Sequence, residues 1–281
     1  MSTLPATHSL LIDHRRPRRE RWAGLQDALH AEWTKTRTTP GAMWLALATF
    51  VLTAGLSAGT AAATTYTPGT VQDPAKISLA GVELGQTMIA IFAVITISGE
   101  YSTRMIATTL TAVPRRITML AAKTSVVTAV TIAAGTWAVL ASVLAGRLLL
   151  PGNGFTAAHG YALVSLSDGA SLRAAAGSVL YLALIALLSL GIATVVRDSA
   201  TAIGAVLALL YLFPIIASGV SDPNWRRHLQ QVSPMDAGLA IQNTTKLHGL
   251  PIGPWAGLGV LAAWAAAAML AATLTLRLRD A

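Results

Sequence analysis

The sequence predicts an all-α membrane protein with six transmembrane helices and both termini in the cytoplasm. Of its 281 residues, 54% are hydrophobic and only 11% are charged, against about 25% charged in an ordinary globular protein. A soluble fold could not cover its surface with so few charges, and a disordered chain would be poor in hydrophobic residues. In addition, the charged residues leave six long segments between them that contain at most one charge each.

These six segments are long enough to cross a bilayer, because its ~30 Å hydrocarbon core takes about 20 residues of helix. We predict spans within a transmembrane domain over residues 41–281, at 42–63, 78–99, 119–146, 174–196, 199–220 and 255–276. A further uncharged segment, 148–167, contains three glycines and a proline. These residues would break a helix early in lipid, so the segment is predicted to be a loop. Whether it re-enters the membrane stays open.

The positions of Lys and Arg predict the orientation. Six spans place both termini on one side, and fourteen of the twenty basic residues fall on that side, including seven before the first span. Cytoplasmic loops carry the excess of Lys and Arg in membrane proteins. The chain is therefore expected to be a multi-pass protein of the cell membrane. Orientation accounts for the net charge of +8, and no nucleic-acid partner is expected.

The first 38 residues divide into a flexible basic N-terminus, 1–19, and a helix, 20–38. The helix carries four apolar residues at positions i, i+3, i+7 and i+11, namely Trp22, Leu25, Leu29 and Trp33. They share one face, with charged residues such as Glu32 mostly away from it, which is typical of an amphipathic helix on a membrane surface. A soluble helix packed on a partner domain is the alternative.

A short cytoplasmic helix is predicted over residues 100–114, between the second and third spans. Glu100, Arg104 and Thr108 are spaced four residues apart and share a face. Glu placed four residues before Arg is the favourable order for an ion pair on a helix. Pro114 ends the helix. The alternative is a solvated loop whose charges only set the topology.

The sequence lacks the residue sets that most enzymes and metal sites need. It contains no cysteine and no phosphate-binding loop, and its six histidines all lie outside the predicted spans. No catalytic residue, metal or other cofactor is therefore expected. Ionisable residues near span centres mark ion relays, and none occurs there, since Glu83 and Lys123 lie near span ends and can reach the interface. The hydroxyl residues of the first span suit close helix packing; they are Thr49, Thr53, Ser57 and Thr60.

Three segments spread along the chain resemble one protein family. LHAEWTKTRTTPGAMWLAL (Leu29–Leu47) resembles the start of actinobacterial permease subunits of type-2 ABC exporters. GEYSTRMIATTLTAVPRR (Gly99–Arg116) is similar to the stretch between their second and third spans. NWRRHLQQVSPMDAGLAI (Asn224–Ile241) is similar to the outer loop before their last span.

The resemblance implies a transport role driven by a separate cytoplasmic ABC ATPase subunit, so the chain itself would be no enzyme. It implies a second permease as partner, either another copy of this chain or a related one, and contact with membrane lipid. The ATPase would bind the N-terminal helix and the helix after the second span, through Glu100, Arg104, Thr108, Thr109, Arg115 and Arg116. The substrate path would be lined by residues of the second and fifth spans, namely Phe92, Thr96, Leu209 and Phe213.

The cargo does not follow from the resemblance, because members of this family export drugs, peptides, lipids and polysaccharide carriers. The uncharged spans and modest outer loops favour an amphiphilic drug or antibiotic. The alternative function is that of a membrane protein not coupled to an ATPase, such as a sensor, an assembly protein or a secondary carrier.

Overall fold

The computed structural model describes residues 16–102, 116–245 and 247–278, and within these residues it contains helices and no strand. We number the α-helices in chain order: α1 (Arg16–Thr38), α2 (Pro40–Ala63), α3 (Pro74–Ser78), α4 (Val82–Ser102), α5 (Arg116–Leu149), α6 (Gly169–Val196), α7 (Ser199–Gly219), α8 (Pro223–Val232), α9 (Pro234–Leu239) and α10 (Pro254–Leu278).

Six of these helices are long and apolar enough to cross a membrane, which confirms the predicted fold class; they are α2, α4, α5, α6, α7 and α10. The segment 148–167 adds no further long helix. After Leu149 the chain forms two short 3₁₀ helices, Leu150–Asn153 and Ala157–His159, and then continues without regular structure to the start of α6.

Six crossings bring α1 and the end of α10 to the same end of the bundle, which we call the terminal end. The opposite end, which we call the loop end, carries residues 64–81, 150–168, 220–245 and 247–253. Contacts between helix ends agree with this arrangement. The hydroxyl of Ser199, at the start of α7, donates to the hydroxyl of Ser98, near the end of α4, at 2.7 Å. That the terminal end faces the cytoplasm stays a prediction.

Helix α6 is the central helix of the bundle and packs against α4, α5, α7 and α10. It begins after Asp168, whose carboxylate accepts a hydrogen bond from the Ser171 N–H at 2.9 Å. It ends at Arg197, which adopts a left-handed backbone conformation with φ of 65°. Asp198 then caps α7 by accepting from the Thr201 N–H at 2.8 Å. Capping on both sides of the reversal accounts for the tight connection between α6 and α7.

Helix α2 packs closely on α4 through its hydroxyl residues, as the sequence predicts. Thr49, Thr53 and Ser57 are fully buried, and the Ser57 hydroxyl accepts from the N–H of Gly81 at 3.0 Å. A Cβ atom at Gly81 would lie only 1.8 Å from the carbonyl oxygen of Thr53. The approach of the two segments therefore requires glycine at this position.

The loop end is held together by the carboxylate of Asp73. It accepts from the N–H and the hydroxyl of Thr244, at 2.6 and 2.7 Å, and from the N–H of Thr245 at 3.0 Å. The same carboxylate caps α3 through the N–H of Lys76. The connection between α2 and α4 is thereby fixed to the connection between α9 and α10.

Candidate functional site

The N-terminal helix α1 packs on the spanning helix α5 at the terminal end of the bundle. Its buried face is formed by Ala28 and Glu32, which are spaced one turn apart. A carboxylate is an unusual side chain on a buried helix face, because transfer of an unpaired charge out of water costs several kcal/mol. The structure shows how this charge is compensated.

Glu32 forms a buried ion pair with Lys123 of α5. The Nζ atom of Lys123 lies 2.7 Å from Oε2 of Glu32, and the Lys123 side chain is fully buried. The same Nζ atom donates to the backbone carbonyl oxygen of Thr96 on α4, at 3.2 Å. The ammonium group therefore joins three helices: the N-terminal helix and the second and third spans.

The assignment of Glu32 to the polar side of α1 is wrong, because its side chain is buried. Lys123 is also buried within the bundle, and its depth relative to the membrane interface stays a prediction. Both side chains turn inward because each supplies the opposite charge that the other needs once it leaves water. The sequence did carry one signal. A lysine inside a long apolar segment is expected to have a partner, although the sequence does not say that the partner is Glu32.

The structure describes the side chains of two of the four residues on the predicted apolar face of α1. Leu29 is half-buried and Trp33 is 49% exposed. Both line a shallow groove of about 340 Å³ against α5, together with Val126 and Ala129. The side chains of Trp22 and Leu25 lie outside the described part of the chain. The groove is compatible with a helix at interface depth, and that placement stays a prediction.

Few of the predicted ATPase-coupling residues lie within the described part of the chain. The backbone of Glu100 belongs to the last turns of α4, one turn beyond Thr96, and Arg116 is the first residue of α5. The other four predicted residues lie outside the described residues: Arg104, Thr108, Thr109 and Arg115. Glu100 and Arg116 therefore flank the same end of the bundle as the buried ion pair.

The predicted substrate-path residues have different environments. Phe92 is buried in the core between helices, whereas Thr96, Leu209 and Phe213 are half-buried. The Thr96 hydroxyl donates a hydrogen bond to the carbonyl oxygen of Phe92 in the same helix, at 2.7 Å. A path along these residues stays a prediction, and Phe92 would have to become exposed to contribute to it.

A second polar cluster, which sequence reasoning missed, lies between α4, α6 and α7. We call it the tyrosine cluster, and it consists of Gln86, Thr87, Tyr181 and Tyr211. The buried Tyr181 hydroxyl donates to Oε1 of Gln86, and the Gln86 amide donates to the Tyr211 hydroxyl at 3.2 Å. The Tyr211 hydroxyl lies 2.7 Å from that of Thr87 and donates to the carbonyl oxygen of Glu83 at 2.9 Å.

The tyrosine cluster joins residues that are 95 to 125 positions apart in the chain. Spacing along one helix gives no sign of such contacts, which is why the sequence did not reveal them. Its hydrogen bonds connect the second span to the fourth and fifth spans.

No protein-family model matches the chain, and no curated protein shows significant similarity to it.

Proposed function

We propose that the chain is the transmembrane permease subunit of an ATP-driven exporter of the type-2 ABC class. In this proposal a separate cytoplasmic ATPase supplies the energy, and two permeases form the transport unit. The six spanning helices agree with a transport role, and the three segments that resemble this family favour the ABC exporter over other membrane proteins.

The observation that carries the proposal is the buried contact of Glu32, Lys123 and Thr96. A permease driven from outside the membrane needs a firm connection between the part that meets the ATPase and the helices that move. An exposed ion pair contributes only about 0–1 kcal/mol, so its two charges are easily separated. Separation of a buried pair is far more costly because it leaves an uncompensated charge. Displacement of α1 would therefore displace α4 and α5 as well.

The charge distribution supports the terminal end as the cytoplasmic end. Lys123 is neutralised by Glu32, which reduces the predicted count from fourteen basic residues to thirteen on that side. The loop end still has only six: Lys76, Arg147, Arg173, Arg226, Arg227 and Lys246. By the positive-inside rule, this distribution favours a cytoplasmic position for α1, where the proposed ATPase would bind it.

Co-purification tests the proposal. The chain, tagged at its C-terminus, is expressed with any ABC ATPase encoded in the same operon, and the chain is purified in lipid nanodiscs. We expect the ATPase to co-purify with the chain, and inverted vesicles containing both to accumulate an amphiphilic compound only when ATP is present. Absence of an ABC ATPase gene from the operon, together with a chain that purifies alone, would favour the uncoupled alternative.

A further inference from the structure

A cavity of about 310 Å³ opens at the loop end, beside the start of α4 and next to α9. Its apolar wall includes Met235, Leu239 and Ile252. The Sδ atom of Met235 accepts a hydrogen bond from the amide of Gln86 at 3.3 Å, so the tyrosine cluster holds this wall in place. The volume lies at the lower end of the range for small-molecule sites, roughly 300–1,000 Å³.

The cavity is lined by more acidic than basic side chains. Glu83 and Asp236 contribute two carboxylates, and Lys76 contributes the one ammonium group among the described lining residues. The Nζ atom of Lys76 already donates to the side-chain oxygen of Asn243, at 3.2 Å. The cavity therefore has a net charge of about −1 when all three groups are ionised.

Asp236 is the carboxylate with unsatisfied hydrogen-bonding capacity. Its Oδ2 atom is buried and has no hydrogen-bond partner among the described residues. Burial raises the pKa of Asp236 above its ordinary value, against the opposing effects of a hydrogen bond with Ser233 and the charge of Lys76. A buried carboxylate oxygen without a partner costs free energy. A cation in the cavity would offset that cost through its charge beside the Asp236 carboxylate.

We propose that this cavity binds a small amphiphilic cation, an organic ammonium ion whose charge lies against Asp236 and Glu83 and whose hydrocarbon part covers the apolar wall. A neutral ligand of the same shape would leave the negative charge of the cavity uncompensated. An anion would add to it. The site does not depend on the proposed function, because the purified chain can bind such a ligand without any ATPase.

Three adamantane derivatives of matched shape test the site: the ammonium ion, the neutral alcohol and the carboxylate. Binding to the chain in nanodiscs is measured by saturation-transfer NMR, with empty nanodiscs subtracted. We expect the ammonium ion to bind about tenfold more tightly than the alcohol, the effect of 1.4 kcal/mol, and the carboxylate not to bind. In Asp236→Asn, which preserves shape, binding of the ammonium ion should fall about tenfold while that of the alcohol is unchanged.

Two further variants complete the binding series. Glu83→Gln removes the second carboxylate and should also weaken binding of the ammonium ion, which provides a test should Asp236→Asn fail to fold. Asp222→Asn is the matched control, because Asp222 caps α8 at the same end of the molecule through the N–H of Asn224. Equal affinities for the ammonium ion and the alcohol, or unchanged ammonium binding in both cavity variants, would overturn the proposal.

Discussion

Glu32 and Lys123 are 91 residues apart in the chain, yet their side chains form a buried ion pair of 2.7 Å. The pair joins a helix outside the predicted spans to the beginning of the third span, and the backbone of Thr96 extends the contact to the second. A buried pair of this kind is poor evidence for overall stability. It does make the position of α1 relative to α4 and α5 costly to change.

The ion pair should show strong energetic coupling. Glu32→Gln and Lys123→Met each leave one buried charge without its partner, and each should destabilise the fold by roughly 3–5 kcal/mol. The double variant removes both charges and should be more stable than either single variant. Thermal unfolding in nanodiscs, followed by tryptophan fluorescence, measures all three variants.

Asp27→Asn is the control for this series, because it changes an exposed carboxylate on the same helix and should have little effect. If the effects of the two single substitutions simply add in the double variant, the side chains do not depend on each other.

The tyrosine cluster should stabilise the packing of α4 against α6. Tyr181→Phe keeps the ring but removes the hydroxyl that donates to Oε1 of Gln86. A buried oxygen left without a donor costs about 1–3 kcal/mol, so the unfolding midpoint should fall. Tyr66→Phe, at a ring that stacks on His159 at the loop end, should leave the midpoint almost unchanged. Equal midpoints for the two variants would mean that the cluster contributes nothing measurable.

Sidedness can be measured directly because the chain has no cysteine of its own. Single cysteines are introduced at Asp27 on α1 and at Asn224 at the loop end, both exposed positions. In intact cells an impermeant maleimide should label the cysteine at 224 and not the one at 27. Labelling at 27 before the cells are opened would show that α1 lies outside the cell. It would contradict the predicted orientation and the proposed cytoplasmic contact with an ATPase.

Ammonium binding to the loop-end cavity should weaken at acidic pH. Because burial raises the pKa of Asp236, its carboxylate becomes neutral at a higher pH than an ordinary aspartate, whose pKa is about 3.9. Affinity for the adamantane ammonium ion should therefore be full above the raised pKa and decrease as the pH falls through it. Asp236→Asn should remove this component of the pH dependence. An unchanged pH profile in Asp236→Asn would show that this carboxylate does not contact the ligand.

The number of spanning helices could be predicted from the sequence, because gaps between charged residues report directly on what can enter lipid. The start of the second span was less evident. Residues 74–78 form the separate helix α3, because Asp73 and Pro74 provide an early helix start that hydrophobicity alone does not indicate. The spanning helix begins only at Val82.

The contacts that define the candidate site could not be predicted, for a physical reason. Periodicity reveals which residues share a face of one helix, but not which face meets another helix. Glu32 and Lys123 each resembled a residue at a water interface when considered alone. Their burial depends on both being present in the folded bundle, and the same is true of Gln86 and Tyr181.

The rate of ATP hydrolysis by the partner ATPase is the measurement that tests the proposed coupling most directly. The ABC ATPase that the proposed function requires is assayed in nanodiscs alone, with the wild-type chain, with Asp27→Asn and with the Glu32→Gln/Lys123→Met double variant. We predict that the wild-type chain and Asp27→Asn raise the rate, and that the double variant binds the ATPase but fails to raise it. A rate unaffected by the wild-type chain would contradict the permease function, and full stimulation by the double variant would contradict transmission through the ion pair.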